Sequence, residues 1–364
     1  MRLSRRDFLK LAGAVGVAST LPVATIQKAL GATGDPRVIW LQGQSCSGCS
    51  ISLLNAVTTS TCAECTTVDD LLINKINLEY HSTLIAAAGE VALSGAFGPH
   101  PSLNELCALG NNWLATGSNK LDLNGPAGLP DSTVNLFDFA ALCKQGYILV
   151  VEGAIPKGSD GLFCDIGGHT MMKDAFDLLG SHADLILAVG SCASFGGIPG
   201  TLPKETTGQS AQPNPTGAVS VESAMSTLGM SKTLINIPGC PMHPEWFVQT
   251  VIKLLAGEPV PLDANKRPDY LFGDSADSAD QIKRVHAQCP FKGNSAPQAP
   301  SLGGYGCLEA FGCRGKYTYA NCPTIKWNGP AGGLGVNWCV ESRTPCYGCT
   351  EPTYPGPNDL VSID

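Results

Sequence analysis

Eleven cysteines and one histidine of this chain fall into three groups of four whose residue types suit metal–sulfur chemistry. The groups are Cys46, Cys49, Cys192 and Cys240; then His286, Cys289, Cys307 and Cys313; then Cys322, Cys339, Cys346 and Cys349. Thiolates are soft ligands for zinc and for iron–sulfur clusters, and imidazole serves in both kinds of site. Each group has the four ligands that an iron–sulfur cubane needs. Three such centres would act as stepping-stones for electrons, which implies a source at one end and an acceptor at the other.

The local patterns differ in specificity. Cys46-Ser-Gly-Cys49 is a C-x2-C pair, shared by clusters, zinc sites and thiol–disulfide motifs. Cys240 lies in Pro238-Gly-Cys-Pro241, where flanking prolines restrict the backbone around a ligand. His286 is followed by Cys289-Pro290, and cluster cysteines are often followed by proline. The competing reading of His286 is an ordinary hydrogen-bonded polar residue. A neutral imidazole in place of a thiolate makes a cluster less negative and raises its potential. Cys322, Cys339 and Cys346-Tyr-Gly-Cys349 compose the third group, for which a closed structural zinc ribbon is the competing reading.

These ligands need elements to position them. From about Val38 to Leu255 short apolar runs end in glycine: Val38–Leu41, Thr83–Ala86, Tyr147–Val151, Leu185–Val189 and Thr233–Ile237. Helical patterns such as Met171–Leu179 and Val221–Leu228 separate them. Continuous apolar strands alternating with helices predict an α/β fold with a parallel sheet, and ligands of such sheets sit beyond the carboxyl ends of the strands. Cys46 and Cys49 follow the first run, Cys192 the fourth and Cys240 the fifth. From about Pro261 the periodicity fades and Gly, Pro, Cys and aromatic residues dominate. Such a segment buries too little apolar area to fold alone, and cofactor binding would supply the missing cross-links. The expected division is 1–31, 32–258 and 259–364, with the boundary near 256–262.

Residues 1–31 read as a targeting segment. Ser4-Arg5-Arg6-Asp7-Phe8-Leu9-Lys10 matches the twin-arginine export pattern, an apolar stretch follows, and Ala29-Leu30-Gly31 supplies small residues for cleavage. Export of an already folded chain allows cluster assembly in the reducing cytoplasm, so sixteen cysteines need not mean a disulfide framework. The expected location is the periplasm, with any membrane association arising through a partner. The net charge of −8 argues against nucleic acid, which needs a basic surface, and is compatible with a basic protein carrier.

At this point the chain resembles the small, electron-transferring subunit of nickel–iron hydrogenases. The matching stretches are Trp40–Ser50 (WLQGQSCSGCS), Val150–Pro156, Gly190–Ala193, Phe195–Pro199, Asn236–Pro241, Gly312–Gly315 and Pro345–Pro352. The resemblance implies a flavodoxin-like domain followed by an irregular iron–sulfur cluster-binding domain. It implies that the first group holds the proximal [4Fe-4S] cluster, the His286 group the distal [4Fe-4S] cluster, and the third group the medial cluster. It places the catalytic nickel–iron centre in a large-subunit partner, leaving no catalytic residue here. Electrons would leave to an external carrier such as a multihaem cytochrome c.

Three departures from the family pattern matter. Many members have proline where this chain has Cys339, and carry a three-iron medial cluster. The extra thiolate predicts a medial [4Fe-4S] cluster, as in the nickel–iron–selenium branch. The oxygen-tolerant branch adds two cysteines around the proximal cluster; Gly48 and Gly197 stand there, so an ordinary cubane is expected. Cys62, Cys65, Cys107, Cys143 and Cys164 lie outside the ligand groups. A disulfide among the first four is the leading reading, and Cys164 reads as a structural thiol. Glu152, at a strand end, reads as a partner of nearby backbone amides in preference to a proton shuttle. Two rivals stay open: an iron–sulfur subunit of another oxidoreductase, since the proximal half also resembles a quinone-reductase subunit, and a zinc- and disulfide-stabilised interaction protein.

Overall fold

The computed structural model describes residues 36–56, 66–81, 146–166, 169–201, 214–273, 284–292, 297–329 and 334–355. Five strands make its main sheet: β1 (Arg37–Gln42), β2 (Asn77–His81), β3 (Ile148–Glu152), β4 (Leu185–Val189) and β5 (Thr233–Ile237). Their order is β2-β1-β3-β4-β5, and every neighbouring pair is parallel. Four of the five apolar runs are therefore strands. The run Thr83–Ala86 lies outside the described residues. The remaining strand, β2, is an edge strand that mixes polar with apolar residues, so it carries no continuous apolar signal.

Continuous apolar strands arise because both sheet faces are covered. Val38, Trp40, Val150, Leu187 and Ile235 point into one buried cluster, while Ile39, Leu41, Leu149, Val151 and Ile186 point into the other. The helices are α1 (Gly48–Leu54), α2 (Asp177–His182), α3 (Gly190–Phe195), α4 (Val221–Thr227) and α5 (Pro244–Ala256). The turns before α2, Met171–Phe176, are wound as a π-helix. In α4 the Ser220 hydroxyl accepts from the Ser223 amide at 3.2 Å, capping the helix. In α5, Pro244 occupies the first turn, His243 Nδ1 accepts from the Glu245 amide at 3.1 Å, and Gly257 closes the helix at φ 69°. Trp246 and Phe247 of α5 are fully buried, each contributing roughly 1.5–3 kcal/mol.

After α5 the backbone is mostly irregular, with helices of three or four residues and single bridges such as Arg284 to Tyr319 and Trp327 to Asn337. Its buried residues, among them Val285, Leu308, Ala320, Trp338 and Val340, join the apolar cluster on one sheet face. Polar contacts also tie it down. Trp246 Nε1 donates to Asn321 Oδ1 at 2.8 Å, and His243 Nε2 lies 2.6 Å from the Lys326 carbonyl. Arg267, wholly buried, pairs with Asp263 at 2.7 Å and Glu351 at 3.1 Å and donates to the Thr350 carbonyl at 2.8 Å. Burial raises the Asp263 and Glu351 carboxyls, opposed by the Arg267 charge. Among the described residues no helix is long and apolar enough to cross a membrane.

Candidate iron–sulfur centres

The sheet register sets the first group. Gln42 pairs with Glu152, Glu152 with Val189, and Val189 with Ile237. Four strands thus end level, and the segments that follow three of them carry Cys46, Cys49, Cys192 and Cys240, with Cys49 in the first turn of α1 and Cys192 in α3. Ser47 takes a left-handed conformation, φ 60°, which turns the chain between the two C-x2-C thiols. Gly190 has φ +82°, and a Cβ there would lie 2.5 Å from Cys49 Sγ. Only glycine lets the fourth strand-end approach that sulfur. Cys49 is buried, whereas Cys46 and Cys240 are exposed. Burial raises the Cys49 thiol well above its ordinary value, followed by the negative charges of Glu152, Cys192 and Cys240. Burial likewise pushes Cys192 up to about 12, with Cys240 and Cys46 adding to it. The four sulfurs are thus electrostatic neighbours. The positions Gly48 and Gly197 also lie here. A Cβ at Gly48 would be 3.0 Å from Cys46 Sγ, and one at Gly197, with φ +53°, would be 2.9 Å from Cys192 Sγ.

His286, Cys289, Cys307 and Cys313 line one cavity with Leu308, Trp338 and Val340. Burial pushes Cys289 up to about 11, reinforced by Cys313 and Cys307. Burial and then the Lys316 charge hold the His286 imidazole below its usual value, and the neutral imidazole is the form that binds a metal. The Phe291 amide donates to Cys289 Sγ at 3.4 Å.

Cys322, Cys339, Cys346 and Cys349 line a second cavity of about 320 Å³, far above the ~10–15 Å³ that holds one water. Burial pushes Cys349 up to about 12 and raises Cys322, Cys339 and Cys346 as well, with neighbouring thiols adding to each. The three groups also meet one another. Cys240 of the first lines the cavity of the third, and the Ser191 hydroxyl beside Cys192 donates to the Cys349 carbonyl. The Cys346 amide of the third donates to Cys313 Sγ of the second at 3.4 Å. In space the order is first, third, second, unlike the order along the chain.

The donor sets fit clusters better than single ions. Among the described residues no three His, Cys, Asp or Glu side chains stand close enough to hold one metal ion. In the third group four thiols, Cys346 buried and the others partly so, surround a roomy cavity and resist ionising in each other's company, and a cationic iron core would relieve that repulsion.

Several contributors carry weaker sequence signals. Glu152 is buried and accepts from the Cys49 and Ser50 amides at 3.1 and 3.3 Å, matching its expected bond to nearby backbone. Ser191, His243 and Arg267 hold loops between the groups, and nothing in their spacing marks them out. A polar side chain directly beside a ligand or strand end is the one available signal. Cys164 is a free, half-buried thiol pushed up to about 11 by burial and then by Asp165. Cys62, Cys65, Cys107 and Cys143, and with them the expected disulfide, lie outside the described residues.

Comparison with known proteins identifies the family. Residues 46–254 match the family model "NADH ubiquinone oxidoreductase, 20 Kd subunit". Residues 282–361 match the model for the C-terminal part of the NiFe/NiFeSe hydrogenase small subunit, and residues 2–22 match the twin-arginine translocation signal. The chain is 31% identical to the periplasmic NiFeSe hydrogenase small subunit of Desulfomicrobium baculatum, over 98% of this chain and 97% of that one. It is 32% identical to the periplasmic NiFe hydrogenase small subunit 1 of Nitratidesulfovibrio vulgaris, over 97% of this chain and 90% of that one. The solved structure of the hydrogen-activated Dm. baculatum NiFeSe hydrogenase aligns with a TM-score of 0.61 at 30% identity. That alignment covers 89% of this chain and 96% of the other. The chain belongs to the small-subunit family of nickel–iron and nickel–iron–selenium hydrogenases.

Proposed function

We propose that three [4Fe-4S] clusters occupy this chain in the spatial order of its ligand groups. The proximal set is Cys46, Cys49, Cys192 and Cys240. The medial set is Cys322, Cys339, Cys346 and Cys349, and the distal set is His286, Cys289, Cys307 and Cys313. The chain is the electron-relaying small subunit of a twin-arginine-exported, periplasmic hydrogenase whose catalytic site lies in the large subunit. The observation that carries the cluster assignment is the pair of junctions between groups, Cys240 with the Cys349 cavity and Cys346 with Cys313.

When bound, the clusters supply one-electron carriers in series. The protein's own residues hold them apart from water and set their electrostatics. Trp327, Trp338 and Val285 wall the medial cavity, keeping its dielectric low. The Met242 and Phe291 amides, donating to Cys49 and Cys289 sulfurs at 3.5 and 3.4 Å, favour the more negative, reduced state. Exposed Cys46 and Cys240 leave the proximal set on the face that the large subunit would cover. His286 lies beside exposed Lys316 and Tyr317 and suits the exit to an external carrier, for which a multihaem cytochrome c is our candidate. The strand order β2-β1-β3-β4-β5 supports a flavodoxin-like reading of residues 32–258, with residues 259–364 as the medial and distal cluster region.

Cys339 distinguishes a medial cubane from a three-iron cluster. Replacing Cys339→Pro in the heterodimer is expected to remove one iron and raise the medial potential. The oxidised variant should show a three-iron EPR signal that the parent lacks. Absence of that signal from a variant with intact proximal and distal clusters would sink the assignment.

A further inference from the structure

Glu152 ends β3 at the sheet rim and is 1% exposed. Its two oxygens are saturated with donors. Oε1 accepts from the Cys49 amide at 3.1 Å, the Ser50 amide at 3.3 Å and the Ser45 hydroxyl at 3.2 Å. Oε2 accepts from Trp40 Nε1 at 3.0 Å, Gln42 Nε2 at 3.1 Å and the Ser50 hydroxyl. All of these donors are neutral. Among the described residues no lysine or arginine pairs with this carboxylate. His81 Nε2 meets the Ser50 hydroxyl at 3.1 Å; burial lowers its imidazole to about 4, against the opposing pull of the Glu152 charge.

Such a shell turns the positive ends of six dipoles toward the carboxylate and, among the described residues, brings no lysine or arginine to it. Its charge lies buried one hydrogen bond away from the Cys49 backbone. A charge in that position acts through low-dielectric protein, where Coulomb interactions are far stronger than in water. Six inward-pointing donors also explain why the residue is an acid. A glutamine would aim its own N–H groups at either the Cys49 and Ser50 amides or the Trp40 indole and Gln42 amide.

We propose that Glu152 is a positioning residue with an electrostatic role: it pins the Cys46–Cys49 loop and holds the potential of the proximal cluster low. This rests on the reading that Cys46, Cys49, Cys192 and Cys240 hold a cluster. An electron added beside a fixed negative charge is disfavoured, so the carboxylate shifts that potential downward and leaves the more distant clusters unaffected. Neutral donors around it soften the effect, so removing one should deepen it.

The test is an EPR-monitored redox titration of the purified heterodimer, with iron content measured in parallel. Glu152→Gln is expected to move one cluster's potential upward and leave the other two in place. Ser45→Ala removes one donor and keeps the charge, so it is expected to move the same cluster slightly downward. A purely structural role predicts no shift of opposite sign in the two variants. Glu152→Gln with full iron content and unshifted potentials overturns the proposal. If that variant loses the cluster, Ser45→Ala decides: a lowered potential supports the proposal, and an unchanged one overturns it. A Cys46→Ser variant that keeps every cluster signal unaltered overturns the underlying site assignment instead.

Discussion

Stripping iron from the purified heterodimer is expected to loosen residues 284–292, 297–329 and 334–355 while β1, β3 and β4 stay protected from hydrogen exchange. The reason is local. These three strands exchange backbone hydrogen bonds with neighbours on both sides and are buried on both faces. The cluster-bearing segments have helices of three or four residues and isolated bridges, far below the length at which a helix stands without tertiary support. On the proposed assignment, what fixes them is ligation by eight side chains from one short stretch of chain. In small metal-dependent domains such ligation supplies roughly 10–16 kcal/mol of folding free energy. Exchange monitored by mass spectrometry before and after chelation reads the effect. Equal protection in both states would mean that packing alone orders this region.

Arg267→Ala is expected to destabilise the protein by about 3–5 kcal/mol, because it strands two buried carboxylates. Asp263 has no exposed side-chain surface and Glu351 only 14%, and burial already raises both carboxyls. The guanidinium also bonds the Thr350 and Phe272 carbonyls at 2.8 and 3.2 Å. The Thr350 contact fixes the chain just after Cys349, and Glu351 in turn accepts from the Tyr319 amide at 2.7 Å. The substitution should therefore lower the denaturant midpoint and release the medial cluster first. Combining Arg267→Met with Asp263→Asn and Glu351→Gln should restore much of the loss, since no uncompensated charge is left inside. A loss below about 1 kcal/mol for Arg267→Ala would assign the cluster of charges the value of a surface pair.

The parallel sheet and the grouping of the thiols are legible in the sequence because their signals are strong and local. Apolar runs of four or five residues ending near glycine mark buried strands, and three of them deliver the first group to one rim. The edge strand β2 was not legible: Asn77 faces outward while Tyr80 and His81 are buried, and mixed burial erases the continuous pattern. The spatial order of the groups was not legible in spacing either. It depends on long-range contacts such as Ser191 to Cys349 and Trp246 to Asn321, which join residues 158 and 75 positions apart. Glu152 stood out as a strand-end acid, but its six donors come from segments around Trp40 and Ser50 that only the folded sheet brings together.

The proposed relay of three cubane clusters has a distinctive spectroscopic signature. Mössbauer and EPR spectroscopy of the iron-57-labelled heterodimer, oxidised and then fully reduced, reads it without perturbing the protein. The small-subunit iron is expected in four-iron form alone, with no three-iron signal on oxidation and with spin coupling among the reduced clusters. A three-iron signal in the oxidised parent protein, or zinc in place of iron in any group, would contradict the relay of three cubanes.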